Sequence, residues 1–408
     1  MVPAFELEEI VRDARARTGQ SGDPGQSGDA GQLGDVVPGV AAGLHIDGQV
    51  VAVADGVLEL GKEEPVRPET PFRIASISKP FTASLALSCL PAEAELRAWL
   101  SHTAGLLCER AEPLPEEAQG LFSYSNAGFW AAGAASAAAC GTTFDSAMRE
   151  RIIEPLRLKA TGYEEPVAPA RGHVQEGATG HRAVGVDVYP AARWPSGGLW
   201  STVEDLLRFG AHHLGGRGPL SLELRAAMRE PQSQALGAGY GLGWWVRDAG
   251  GRTALDHEGS VAGYQSLLLL VPEERVALAV LTNSWRGSGL ALRIVEQLGL
   301  AAAPPLSRPG VRPRDTAGRE LTEYSVAGRY ALDDAHAVVE ELGEDLVVEE
   351  RETDPVTGAP LDRPRLRAKP IGGGVYGYAG GGLMSHRIDF PRAKIGRIGW
   401  LAMPRLQQ

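Results

Sequence analysis

"RIASISKPFTAS" (residues 73–84) is an apolar stretch interrupted by Ser76, Ser78 and Lys79, with Pro80 directly after the lysine. A serine and a lysine three positions apart share one face of a helix, close enough for the amine to reach the hydroxyl. Proline is tolerated only in a helix's first turn, so the helix is predicted to begin close to Ser76. Ser76 then sits at a helix N-terminus, where free N–H groups and the macrodipole favour an alkoxide and lower the pKa of a nearby lysine. That is a nucleophile's environment. Ser-x-x-Lys alone is a weak signal, because ordinary residue frequencies produce it about once by chance in a chain of this length.

Outward from this stretch the chain alternates strand and helix patterns. A short amphipathic helix with apolar Leu7, Ile10, Val11 and Ala14 precedes "GQSGDPGQSGDAGQLGD" (19–35), where glycine falls at every third position. The run is too short and proline-poor for a collagen helix and predicts a flexible linker without a catalytic role. "VAAGLHIDGQVVAVADG" (40–56) alternates across Asp47-Gly48, the pattern of a hairpin closed by a type I′ turn. Helical patterns follow near 76–90, 126–153 and 202–213. From Leu242 to Thr282 strand patterns return in "LGWWVRD", "RTALDH", "YQSLLLLV" and "RVALAVLTN", and helix 286–298 closes the segment. An antiparallel sheet built from both ends of the segment, with helices between, is the predicted α+β core.

The remaining sequence has another character. "AAAPPLSRPGVRPRD" (301–315) is rich in Pro and Arg and reads as a semi-extended linker, after which short strand patterns and glycine turns predict a small barrel or sandwich. "GGGVYGYAGGG" (372–382) lacks a following Lys-Ser or Lys-Thr helix and reads as turns rather than a phosphate loop. The predicted divisions are thus 1–35 (helix and linker), 36–300 (main domain), 301–319 (linker) and 320–408 (C-terminal β domain). The formal net charge of −11 opposes any sequence-independent hold on nucleic acid or anionic lipid, so neither partner is expected. "MVPAFELEEI" has neither the basic nor the apolar region of a signal peptide and no apolar run spans a bilayer, which predicts a cytoplasmic protein. Cys89, Cys108 and Cys140 are read as buried free thiols. With no His-x-x-x-His or Cys-x-x-Cys spacing, neither metal nor cofactor is expected.

Two further pieces carry chemistry. "FSYSNAGFW" sets Tyr124, Ser125 and Asn126 at a predicted helix start with Asn126 as N-cap, and "LDHEGSVAGYQS" sets His257, Glu258, Gly259 and Ser260 on a strand. Alone, the first reads as a cap with a packed tyrosine and the second as an edge-strand histidine. Taken in order, Ser-x-x-Lys, Tyr-x-Asn and His-x-Gly resemble the penicillin-recognising serine hydrolases, in particular the class C β-lactamase-like family of esterases and D-stereospecific aminopeptidases. "WLSHTAGL" (99–106), "PSGGLWSTVEDLLRFG" (195–210) and "VPEERVALAVLTN" (271–283) look like further landmarks of that family. The resemblance implies a β-lactamase/transpeptidase-like fold with a helical subdomain, and the strand-rich tail resembles the lipocalin-like domain of some members.

Carried over position by position, the resemblance implies that Ser76 is the acylated nucleophile and Lys79 its proton-transfer partner. Tyr124 would be general base or shuttle and Asn126 would orient substrate and Lys79, while the Ser76 and Ser260 N–H groups form an oxyanion hole beside Gly259. His257 would assist proton transfer. Acyl transfer needs such a set: a hydroxyl deprotonated on attack, donors aimed at the oxyanion, and a base for water. Lys and Tyr both have unperturbed pKa values of about 10, so which is the base stays open.

Departures from the family pattern also carry expectations. The intervals Ser76–His102 and His102–Tyr124 are shorter than in relatives, which predicts a trimmed, open rim. The β-lactamase strand typically offers Lys-Thr-Gly; here His257 replaces the lysine, with an ordinary pKa of about 6.5, so turnover of anionic substrates is expected to fall as pH rises through about 6 to 7. Three functions follow: hydrolysis of a small ester or amide, acyl transfer from the same acyl-enzyme to an amine or alcohol, and a non-catalytic binding relative. Hydrolysis uses every motif present.

Overall fold

The computed structural model describes residues 4–19, 36–176, 180–184 and 189–300, together with strands between Gly328 and Pro404. The linkers read at 19–35, save Gly19, and at 301–319, and much of the 372–382 glycine cluster, lie outside the described residues. The chain divides into two compact units. The first comprises Met1–Glu93, Phe129–Glu230 and Gly241–Ala302; the second comprises Ala94–Gly128, Pro231–Tyr240 and Ala303–Gln408.

The sheet of the first unit runs in the order Gln49–Gly56, Gly39–Ile46, Val276–Thr282, Tyr264–Val271, Thr253–Val261 and Trp245–Asp248. Neighbouring strands pair antiparallel, so the N-terminal hairpin joins the last strand of the segment, with Val40 opposite Thr282. Asp47 and Gly48 have φ values of 50° and 87°, both positive as a type I′ turn requires. Val276–Thr282 is buried along its whole length, which demands cover on both faces. Helix Val203–His213 packs on strands Gly39–Ile46 and Val276–Thr282, and helices Ala4–Ala16 and Gly287–Gln297 pack on Gln49–Gly56 and Tyr264–Val271. Leu7, Val11 and Ala14 are buried, as their spacing predicts. Gly43 is where helix and sheet meet most closely: a Cβ there would run into Val203. The sheet flanked by helices is the α+β core that the sequence predicts.

Three local expectations are corrected. The helical pattern over 126–153 is two pieces, Asn126–Cys140 and Phe144–Met148, the second running into a wider turn at Arg149–Ile153. Gly141, at φ 66°, ends the first as a left-handed C-terminal residue. "LGWWVRD" becomes strand only from Trp245, because Gly243 takes φ 84° directly over Ala83. The cysteines are free but half-exposed rather than buried; Cys89 and Cys140, each the last residue of its helix, bring their Sγ atoms to 2.8 Å.

In the second unit, helix Ala94–Leu100 is tied by Arg97 to Gln232 (2.9 Å), beside the hairpin Ser233–Ala235/Ala238–Tyr240. Beyond Gly328 the strands follow an antiparallel path from Gly328–Leu332 to Leu401–Pro404, with the first strand lying beside the last. Among the described residues no helix is long and apolar enough to cross a membrane.

Asn283, fully buried at the end of strand Val276–Thr282, ties three backbone groups together. Its Oδ1 accepts from the Gly39 N–H (2.7 Å) and its Nδ2 donates to the Val57 and Leu58 carbonyls (3.1 and 3.0 Å). Asn283→Ala leaves those groups unpaired in the interior and is expected to destabilise the protein by about 2–4 kcal/mol. Chemical denaturation measures this; a change within about 0.5 kcal/mol contradicts the structural role.

Candidate active site

The turn entering the Ser76 helix is strained and clamped. Ala75 has φ 46°, in the left-handed region that costs a residue with a Cβ about 1–2 kcal/mol, and such strain persists only where neighbours enforce it. The Ile74 N–H donates to the Leu199 carbonyl (3.0 Å), while the Ile74 carbonyl accepts from Ser266 Oγ (2.9 Å) and from the Ile77 N–H (3.1 Å). Gly259 allows its strand this close: a Cβ there would run into the Ile74 carbonyl oxygen and Ser266 Oγ. The chain then makes a tight turn, Ala75–Ile77, that leads into helix Ser78–Cys89 with Pro80 in its first turn. The helix start predicted from Pro80 is therefore observed within two residues.

Ser76 and Ser78 are distinguished by their surroundings. Ser78 is fully buried, its Oγ accepting from the Leu199 N–H (3.2 Å), whereas Ser76 is half-exposed. Lys79 has no exposed surface, yet Nζ donates to Ser76 Oγ at 3.1 Å and to the Ser196 carbonyl at 2.7 Å. The Phe129 ring lies 5.6 Å from Nζ. Ser196 is itself fixed, because its Oγ receives the Trp130 indole N–H (2.8 Å) and Thr82 binds the preceding Pro195 carbonyl (2.7 Å). "PSGG" thus supplies the acceptor that holds the lysine on the serine, a role that only the residue order around 195 could have hinted at.

His257 lies opposite Leu268 on strand Thr253–Val261, one residue beyond the last pairing of that strand with Trp245–Asp248 at Asp256. Its stretch is therefore paired on one side, as an edge-strand reading has it, yet the residue is buried at 2 % exposed. Its Nδ1–H donates to the Glu258 carbonyl (2.7 Å), leaving Nε2 as the acceptor of a neutral ring. Burial, and secondarily the charge of Lys79, push its pKa down to about 3. The expected titration near 6 to 7 is therefore overturned: His257 stays neutral across the physiological range. Ser260, next but two along the strand, is exposed and receives the Gln265 amide (2.8 Å).

Tyr124 and Asn126 belong to the second unit and are positioned by His102 and Ser125. His102, itself at φ 58°, accepts the Ser125 N–H on Nδ1 (3.0 Å), so Nε2 carries the proton and donates to Tyr240 Oη (3.2 Å). The Tyr124 ring packs 4.2 Å from the His102 ring and is 4 % exposed. Ser125, not Asn126, is the N-cap: its Oγ accepts the Gly128 N–H (3.1 Å). The Asn126 amide is thereby released from capping. Of the predicted residues, Ser76, Lys79, His257, Gly259 and Ser260 fall in the first unit and Tyr124 and Asn126 in the second.

A model of the beta-lactamase family matches residues 27–302, and the chain belongs to that family of serine hydrolases. It is 26% identical over 344 residues to penicillin-binding protein 4 of Amycolatopsis lactamdurans, covering 68% of this chain and 90% of that protein. Among solved structures, SurE superposes with a TM-score of 0.70 at 24% identity, covering 98% of this chain and 97% of that one. The D-amino acid amidase from Ochrobactrum anthropi SV3, complexed with L-phenylalanine amide, gives 0.56 at 21% identity, covering 72% and 97%. At these identities the structural likenesses establish the fold.

A histidine whose folded pKa is lowered binds fewer protons than the unfolded chain between the two values, so acid destabilises the folded state. His257 at about 3 and His212 at about 4 act together, with His173 and His213 lowered by burial in the same direction. Stability is expected to be level above about pH 7 and to fall below about pH 6.5, each histidine contributing at most about 1.4 kcal/mol per pH unit. Denaturation midpoints across pH 8 to 4 measure it, and His257→Gln should reduce the slope. An unchanged slope in that variant contradicts a neutral His257.

Proposed function

We propose that the protein hydrolyses small esters or amides through an acyl-enzyme on Ser76. The observation that carries the reading is the buried Lys79 amine 3.1 Å from a half-exposed serine hydroxyl at a strained turn. Ser76 Oγ attacks the carbonyl carbon as its proton passes to Lys79 or Tyr124, and the Ser76 and Ser260 N–H groups receive the developing oxyanion. The proton goes on to the leaving alcohol or amine, and water, activated by the same base, attacks the ester to release acid and free Ser76. Asn126 orients the substrate, and His257, neutral with Nε2 as acceptor, supports the proton path. The strands beyond Gly328 form a small barrel-like domain, supported by the approach of first and last strands.

Neutral His257 lacks the fixed cation that Lys-Thr-Gly brings to β-lactamases, so neutral or amine-bearing substrates are favoured over carboxylates. The structural likeness to a D-amino acid amidase and to SurE with D-Leu makes D-amino acid derivatives the first probes. Matched nitrophenyl esters, neutral, amine-bearing and carboxylate-bearing, together with a penicillin, test this by kcat/KM. The neutral and amine esters are expected to lead throughout pH 6 to 8; a leading carboxylate ester or penicillin contradicts the reading. Lys79→Ala is expected to slow acylation by about 10²- to 10⁴-fold in a folded protein.

A further inference from the structure

Cys89 and Cys140 take no part in the chemistry of Ser76, yet they meet. They lie 51 positions apart, both in the first unit, and each is the last residue of its helix, Ser78–Cys89 and Asn126–Cys140. Their Sγ atoms are 2.8 Å apart. Non-bonded carbon atoms rest about 3.5–4.0 Å apart and sulfur is the larger atom, so the two thiols stand closer than packing alone would set them. A disulfide places its sulfurs at about 2.05 Å, which leaves less than about 1 Å to close.

Neither helix end resists that movement. After Cys89 the chain leaves the helix at once, Leu90 turning extended (φ −125°) while its N–H still donates to the Ala86 carbonyl (2.8 Å). After Cys140, Gly141 turns left-handed at φ 66°, with open space where a Cβ would stand. Both cysteines are half-exposed and lie beside exposed Pro91, Ala139 and Gly141, so a small reagent reaches them. Ser88 Oγ, 3.5 Å from Cys89 Sγ, donates to the Leu85 carbonyl (2.7 Å), so its proton is not spent on the sulfur.

We propose that Cys89 and Cys140 form a reversible modification site, a dithiol that hydrogen peroxide converts to a disulfide clamping their two helices together. Partial burial, and then the contact with Cys89, push the Cys140 thiol up to about 11, so Cys140 keeps its proton at neutral pH and Cys89 reacts first. The Cys89 sulfur attacks peroxide, an S–O bond forming as the O–O bond breaks, to give a sulfenic acid and one water. The Cys140 sulfur then attacks the sulfenic sulfur, the S–S bond forms, and hydroxide leaves with the thiol proton as a second water. Two thiols thus lose two electrons and two protons while one peroxide is reduced to two waters. Of the joined helices, the first carries Lys79 and the second carries Phe129, 5.6 Å from Nζ, and Trp130, whose indole fixes Ser196. The bridge fixes these helices at their far ends and closes a long loop in the unfolded chain, which stabilises the folded protein.

The test uses the full-length wild-type protein, reduced, freed of reductant and treated with hydrogen peroxide. It is alkylated with iodoacetamide and mapped by mass spectrometry without reduction, and its thermal midpoint is measured with and without dithiothreitol. A peptide linked through Cys89 and Cys140 is expected, with Cys108 alkylated as in the reduced protein. The midpoint should rise by about 5–10 °C and return on reduction. Cys89→Ser and Cys140→Ser should each abolish the link and the shift, whereas Cys108→Ser should keep both. Equal alkylation of Cys89 and Cys140 before and after peroxide, a linkage through Cys108, or a bridge that leaves the midpoint unchanged overturns the proposal. None of these readouts depends on turnover of an ester or amide.

Discussion

A lysine amine with no exposed surface must be satisfied inside the protein, and that requirement organises the first unit around Lys79. Burying an ammonium or amine without partners is prohibitive, and its partners include Ser76 Oγ and the Ser196 carbonyl. Ser196 can serve only because Trp130 and Thr82 fix the "PSGG" segment against the Ser78–Cys89 helix. Gly133 has the same logic, since any Cβ there would run into Pro195. Helix Asn126–Cys140, the Ser76 helix and residues 194–197 therefore form one interlocked set.

The second constraint is the turn that aims Ser76. Ala75 stays left-handed because Leu199 and Ser266 grip Ile74 from both sides, and Gly259 lets the sheet come near enough for that grip. The same strand buries His257, and burial keeps its ring neutral. Packing thus decides electrostatics: the geometry that holds the serine also removes a titratable cation from the motif. Such dependence explains why the glycine of His-x-Gly has a steric reason independent of any contact with substrate.

Much of this was legible in sequence because local rules and global packing agree. Pro80 fixed the helix start, Asp47-Gly48 the hairpin, and alternation the central strands. The readings that failed are those where tertiary context outweighs local preference. Asn126 looks like a cap, yet Ser125 one residue earlier does the capping. His257 looks like an ordinary histidine near pH 6.5, but burial takes it from water even where its strand is paired on one side only. The pattern from 126 to 153 hides a break at Gly141, and hairpin His173–Glu176/Gly180–Ala183 has too little apolar alternation to announce itself. The roles of Ser196 and His102 depend on contacts between residues tens of positions apart or on backbone carbonyls, which no spacing rule encodes.

The central claim is that one serine, Ser76, is made nucleophilic by a buried lysine, while Ser78, two residues away, is only structural. The most direct measurement is reaction of the wild-type protein with a neutral fluorophosphonate, followed by intact mass and peptide mapping. The account predicts a single adduct on Ser76, abolished in Ser76→Ala and strongly slowed in Lys79→Ala. An adduct on another serine, retention of label in Ser76→Ala, or equal labelling rates with and without Lys79 would contradict it.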